Sequence, residues 1–334
     1  MGISYATRED VSGALAFNET ARLASQIDRA CQSGSRSVEA LCHRVFYPEN
    51  VTRTLLRDVY RDGYETLWLD TNELISLTSI TDEGTAVAAA DYDLVPVSGP
   101  PFTGINFGGS VSSGEFAIVG VFGYRDDQVP AGVLDAAISS ASATTIDVTD
   151  GSLIGVGDLL TIDSERLQVT ERTWLSSAQT GTLTASKADV TLAVATGSAF
   201  HIGEPLLIGS ERLTVTDISG NNLTVKRAQE GTVLAAHTTA TIYTSRTLTV
   251  VRGAQGTTAA THLDAATVTK LEYPGLVRSL TIALACNQLL QEGSGYADKQ
   301  GNASTSVEAT GGGLAGIRKD CYALHGRKAR MRAV

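Results

Sequence analysis

Two half-motifs recur in this chain in an order that tandem duplication does not produce. Residues 155–170, Gly-Val-Gly-Asp-Leu-Leu-Thr-Ile-Asp-Ser-Glu-Arg-Leu-Gln-Val-Thr, return at 201–216 as His-Ile-Gly-Glu-Pro-Leu-Leu-Ile-Gly-Ser-Glu-Arg-Leu-Thr-Val-Thr, 46 positions on. A second unit, Leu223-Thr-Val-Lys-Arg227 with Gly231-Thr232 and His237, returns 25 positions later as Leu248-Thr-Val-Val-Arg252 with Gly256-Thr257 and His262. The order is first half, first half, second half, second half, whereas tandem copies would alternate. Nesting accounts for every half: a complete module at about 190–244 sits inside another made of 144–171 and 246–271. One decayed tandem copy is the alternative, and it leaves two orphan halves.

The repeat region differs in composition from what precedes it. Residues 1–130 hold ten threonines and residues 141–271 hold twenty-six. Thr and Val enrichment with frequent Gly and no helical stripe predicts an all-β segment. The flanks read differently. Pro274-Gly275 opens a helix with Leu276, Leu280, Ala283 and Leu284 at helical spacing, widened by Val277, Ile282 and Leu289. Nothing adjacent in sequence covers both faces of that helix, so its natural partner is the N-terminal segment. There Thr7 precedes Arg8-Glu9-Asp10 as a helix cap with early acids. Asn18 can restart a helix bearing Leu23, Ala24, Ile27, Ala30 and Cys31, Gly34-Ser35 marks a break or kink, and Val38, Leu41, Cys42 and Val45 continue until Pro48.

From Val51 the period is two, with strands expected at Leu67–Leu69, Leu74–Ile80, Tyr92–Val97, Thr103–Phe107 and Phe116–Phe122. Asp82-Glu83-Gly84 reads as a hairpin turn and Gly108 to Gly114 as a flexible tip. The expected fold class is α+β: a helical bundle from the N- and C-terminal segments with a small antiparallel sheet, interrupted by an all-β insertion of two nested modules. The expected domains are a discontinuous core of 1–130 and 274–334, an outer module of 131–171 and 246–273, and an inner module of 172–245.

Little in the chain points to chemistry. Four cysteines (Cys31, Cys42, Cys286, Cys321) lie far apart, without the clustering that zinc requires, and the first three fall on apolar helix faces. Ser164 and Ser210 sit at expected hairpin turns with no local base. His237 and His262 occupy one place in each unit and suit a bond to a neighbouring strand or loop better than a metal. Nucleotide-loop, metalloprotease and nucleophile-elbow motifs are missing, so no catalytic residue, metal or cofactor is expected. No apolar run reaches membrane-spanning length. Net charge is −10, against a general nucleic-acid coat. The last seventeen residues carry about +5, from Arg318, Lys319, Arg327, Lys328, Arg330 and Arg332 against Asp320, leaving −15 elsewhere.

Several outer stretches carry a family resemblance. They are Tyr5-Ala-Thr-Arg-Glu-Asp-Val, Ser35-Arg-Ser-Val-Glu-Ala-Leu-Cys-His-Arg-Val-Phe-Tyr-Pro48, Leu67-Trp-Leu-Asp-Thr-Asn-Glu-Leu-Ile-Ser-Leu-Thr-Ser79, Asp91-Tyr-Asp-Leu-Val-Pro, Gly99-Pro-Pro-Phe, and Gly120-Val-Phe-Gly-Tyr-Arg-Asp-Asp-Gln-Val-Pro130 followed by the Pro274–Tyr296 helix. In order and spacing they resemble the head-to-tail adaptor (connector) proteins of long-tailed bacteriophages, over about 190 residues. The modules resemble those decorating adaptors and tail proteins of actinobacterial viruses. The resemblance implies a virion structural protein made in the host cytoplasm: a homo-oligomeric ring, commonly of twelve copies, at the head–tail junction. Such a ring binds the portal protein, extends the DNA channel without reading sequence, and offers a platform to the stopper or tail-completion protein. It implies portal docking by the C-terminal segment, here Arg318, Lys319, Tyr322, Arg327, Lys328, Arg330 and Arg332, with Leu276, Leu280 and Leu284 as the core helix. The family pattern assigns the modules no role; contact with the major capsid protein is one expectation. A stopper or tail-completion subunit, or a carbohydrate- or capsid-binding protein using its β modules, are the alternatives.

Overall fold

The computed structural model describes residues 2–15, 24–56, 66–107, 114–293, 299–300, 307–308 and 311–327. Asn18, Leu23, the tip at 108–113, and Lys328, Arg330 and Arg332 lie outside those residues.

Four α-helices bring the two ends of the chain together. Helix α1 (Arg8–Ala14) starts at Thr7, whose hydroxyl accepts from the Asp10 N–H while the Asp10 carboxylate accepts from the Thr7 N–H. Helix α2 (Ala24–Cys42) buries Ile27, Ala30, Cys31, Gly34, Ser35, Val38 and Cys42 along one stripe. It packs on α3 (Gly275–Gly293), and α4 (Gly311–His325) packs on both. The expected break at Gly34-Ser35 is absent, because the helix runs through it. A Cβ on Gly34 would lie 2.9 Å from the Thr281 carbonyl oxygen of α3, so the glycine is where two helix backbones cross. Ser35 donates to the Cys31 carbonyl and accepts from the Tyr5 N–H, which ties the N-terminal segment across the helix. Ile3, Tyr5, Val38, Cys42 and Phe46 share one buried cluster with Val277, Leu280 and Cys321, and Leu276 and Leu284 flank it.

Seven strands follow α2: β1 (Glu49–Leu56), β2 (Thr66–Trp68), β3 (Leu74–Asp82), β4 (Thr85–Ala86), β5 (Tyr92–Val95), β6 (Gly104–Phe107) and β7 (Glu115–Phe122). They form a four-stranded sheet, β1-β7-β3-β4, and a three-stranded one, β2-β6-β5. Between them lies a core of their own, with Leu67, Leu74, Ile80, Ile105, Phe107, Phe116, Ile118 and Phe122.

Ten more strands make one large sheet. They are β8 (Gln128–Val133), β9 (Thr145–Asp147), β10 (Leu159–Ile162), β11 (Glu165–Leu183), β12 (Thr191–Ala193), β13 (Pro205–Ile208), β14 (Glu211–Ser219), β15 (Asn222–Lys226), β16 (His237–Val251) and β17 (Thr267–Leu271). The order is β12-β15-β14-β13-β16-β11-β10-β17-β8, with β9 on β16. The two longest strands, β11 and β16, pair from Gln168–Val251 to Leu183–His237 with four bulges. One buried cluster draws on 131–169 and 248–268; another lies wholly within 183–242.

This overturns the expected fold class. The chain is mostly β, with 41% of residues in strands against 24% helical, rather than a helical bundle carrying a small sheet. The reason is physical. The strands of the first half bury apolar residues against one another in two sheets and need no helix to cover them. The alternating Thr/Val segments join in one long ladder that runs through two separate buried cores, which raises the strand content further.

Candidate functional site

Each repeat builds the same buried polar centre. Glu165 begins β11 just after the Asp163-Ser164 turn, and Glu211 begins β14 after Gly209-Ser210. Both are fully buried. The Glu165 carboxylate accepts from Arg252 Nε and Nη2 (2.7 Å each), from the Gly253 and Ala260 N–H groups (2.9 Å each), and lies 2.8 Å from His262 Nε2. The Glu211 carboxylate accepts from Arg227 Nε and Nη2 (2.7 Å each), from the N–H groups of Ala228 (3.0 Å) and Ala235 (3.1 Å), and lies 2.9 Å from His237 Nε2. The first member of each pair is displaced by 46 positions and the others by 25, the two repeat offsets.

The match extends outward. Arg166 and Arg212 donate their backbone N–H to Thr257 and Thr232 hydroxyls at 2.9 and 3.0 Å. Gln255 and Glu230 both take left-handed backbone, φ 54° and 53°. A Cβ on Gly151 would strike the Ser245 carbonyl, and one on Gly197 the Gly220 carbonyl, again 46 and 25 apart. One position differs: Asp163 lies 2.8 Å from His262 Nδ1, where the inner unit has Gly209 beside His237.

These centres hold loops together. Burial would raise a carboxyl's pKa, but the guanidinium, imidazole and backbone N–H bonds outweigh it and hold both Glu165 and Glu211 down to about 2. A carboxylate saturated by five donors has no lone pair left for a substrate proton, and no nucleophile converges on it. Alternation alone places Ser164 and Ser210 at turns, and it does not show that the glutamate after each serine turns inward. The available signal was that each unit repeats one Glu, two Arg and one His inside a Thr/Val background.

The expected docking residues divide. Arg318, Lys319 and Tyr322 lie exposed on α4. Arg327 is tied to the body: its N–H donates to the Cys42 carbonyl at 2.9 Å, and burial lowers its guanidinium pKa against the pull of Glu73 and Asp70. Glu73 is itself buried, 3.1 Å from Arg44 Nη2. His325 packs edge-on to Phe46 and Tyr124, and burial, then Arg44 and Arg125, lowers its pKa. Leu280 is buried, with Leu276 and Leu284 at its flanks. Cys42 and Cys321 face each other, Sγ–Sγ 3.8 Å, across the α2–α4 contact. Among the described residues no His/Cys/Asp/Glu group has metal-site geometry, and no helix is long and apolar enough to cross a membrane.

Comparison with known protein families, curated proteins and solved structures finds no match.

Proposed function

We propose that this chain is the head-to-tail adaptor of a long-tailed bacteriophage, a ring subunit seated between the portal and the next tail-completion protein. One observation carries the reading: α1 and α2 from the N-terminal segment and α4 from the C-terminal segment cover α3, so segments from before and after the repeat region pack as one body. The repeat region leaves that body through β8 and returns through β17, which pair with each other from Gln128–Leu271 to Val133–Thr267. Adjacent exit and return strands let an insertion hang from a host fold without distorting it. On this reading 131–273 is an appendage, the 183–242 cluster is a module carried within it, and the glutamate centres are structural.

The protein would act by geometry and charge rather than by bond chemistry. A subunit with two complementary patches closes a ring by rotation. Arg318, Lys319 and Tyr322 on the exposed face of α4 suit an acidic crevice of a portal, where charge speeds docking and the aromatic ring anchors it. Arg327, half-buried and bonded through its N–H to the Cys42 carbonyl, is removed from that role, and Lys328, Arg330 and Arg332 are retained as candidates. The test is binding to the cognate portal protein, followed by electron microscopy of the complex. Rings coaxial with the portal are expected, and Arg318→Glu with Lys319→Glu should weaken binding at least about tenfold at low salt. A chain that neither binds portal nor is found in purified virions refutes the reading.

A further inference from the structure

The two modules use the same face differently. In the outer module the loop at Ala254–Gly256 and the side chain of Arg166 are pressed against the adaptor body. A Cβ on Gly256 would lie 1.9 Å from the Asn50 carbonyl oxygen of β1. Arg166 donates to Asn50 Oδ1 at 2.8 Å and to Asp126 Oδ2 at 2.9 Å, and only 8% of its side chain is exposed. The inner module presents the corresponding face uncovered. A Cβ on Gly231, the counterpart of Gly256, would meet nothing within 4 Å. Arg212, the counterpart of Arg166, has 41% of its side chain exposed.

That open face carries residues suited to a partner. The register places Tyr243 opposite Leu207 and Leu207 opposite Arg212. Their neighbours Leu206, Ile208, Leu213 and Ile242 fill the module's core, so Leu207, Arg212 and Tyr243 point the other way. The guanidinium of Arg212 lies over the Trp174 ring, 5.7 Å from its centroid, and also contacts Glu230. Trp, Tyr and Arg are the side chains that most often dominate protein interfaces. A half-exposed Trp capped by Arg presents a flat apolar platform whose charged rim is ready to exchange Glu230 for an incoming carboxylate.

We propose that the Trp174–Arg212–Tyr243 face of the inner module is a docking site for a second virion protein, one that offers an Asp or Glu to Arg212 as Asp126 offers its carboxylate to Arg166. The inference rests on the adaptor reading for where the partner is found. It rests on the quasi-equivalent interface, already formed within this chain, for what the partner looks like. The site takes a protein surface with an acidic loop. A glycan is disfavoured, because the equivalent face is built to receive backbone and carboxylate oxygens from a folded chain.

The experiment uses the full chain during infection, with the photo-cross-linker p-benzoylphenylalanine in place of Val233, which is 80% exposed and follows Thr232, whose hydroxyl accepts from the Arg212 N–H. A control carries it in place of Val97, also exposed but on the adaptor body. Purified virions are irradiated and cross-links mapped by mass spectrometry. The expected result is a cross-link from position 233 to a different virion protein, beside an Asp or Glu. Its yield should fall about tenfold with Arg212→Glu, and less with Arg212→Lys, while the chain is still incorporated. Incorporation without a cross-link above the Val97 control, cross-links only between copies of this chain, or a yield indifferent to Arg212→Glu would each overturn the proposal and leave the adaptor reading standing. Absence of the chain from virions would overturn both.

Discussion

Glu211→Gln keeps the volume of the side chain, removes its charge, and turns one acceptor into a donor facing donors. Arg227 keeps its bonds to the carbonyls of Thr184, Asp189 and Ala235, but its guanidinium, 3% exposed, loses its counter-charge. Removing one partner of a buried pair costs about 3–5 kcal/mol. Linkage gives a similar figure: a carboxyl held at about 2 rather than the ordinary 4.5 contributes roughly 3 kcal/mol to folding near neutral pH. For a small module losing about 1 kcal/mol per molar urea, the midpoint should fall by about 3 M. Hydrogen exchange is the sharper assay, because the loss should fall on β13, β14 and β15 and spare α2 and α3. Adding Arg227→Met should cost less than the sum of the two single changes. A Glu211→Gln protein within about 1 kcal/mol of the parent, or one whose helices lose protection as much as the inner module, would refute the account of these centres.

Three further outcomes are expected. Gly34→Val should destabilise the helical layer by about 1–3 kcal/mol by forcing α2 away from the Thr281 carbonyl, whereas Gly13→Ala, with nothing within 4 Å of its Cβ, should gain about 0.5–1 kcal/mol; thermal melts of both decide it. Since both centre carboxyls have folded pKa values below the ordinary one, their stabilisation is complete above about pH 4.5 and is lost as the pH falls toward 2; circular dichroism on acid titration should show this, with a shallower decline in Glu165→Gln, which has lost that contribution at every pH. Thr7→Ala removes the α1 cap and should cost about 1 kcal/mol, measured by urea unfolding, with Thr7→Ser restoring most of it.

The repeat offsets were readable because identity at fixed spacing needs no knowledge of packing. What joins Glu165 to Arg252 was not, since 87 residues separate them and alternation says only which face a strand residue takes. Gly34-Ser35 shows the same limit. A glycine beside a serine signals a stop when only local propensity is weighed, yet here the missing side chain admits the Thr281 carbonyl of another helix, and tertiary contact outweighs the propensity cost. The helical-bundle expectation failed for a related reason. Val51, Thr52 and Thr54 suit a strand, but only the pairing of β1 with β7 shows that 49–56 forms the outer member of the four-stranded sheet. Arg327, grouped with the tail by charge, belongs to the body by contact.

The long pairing of β11 with β16 has a mechanical corollary. β11 leads to the 183–242 unit and β16 returns from it antiparallel alongside, so a pull on that unit loads two covalent chains together and sets no strand sliding against its neighbour. Prying those strands apart sideways would instead open the ladder one rung at a time. On the proposed reading of 131–273 as an appendage, this pair is a doubled tether, resistant to tugging along its length and weakest to a wedge at its side.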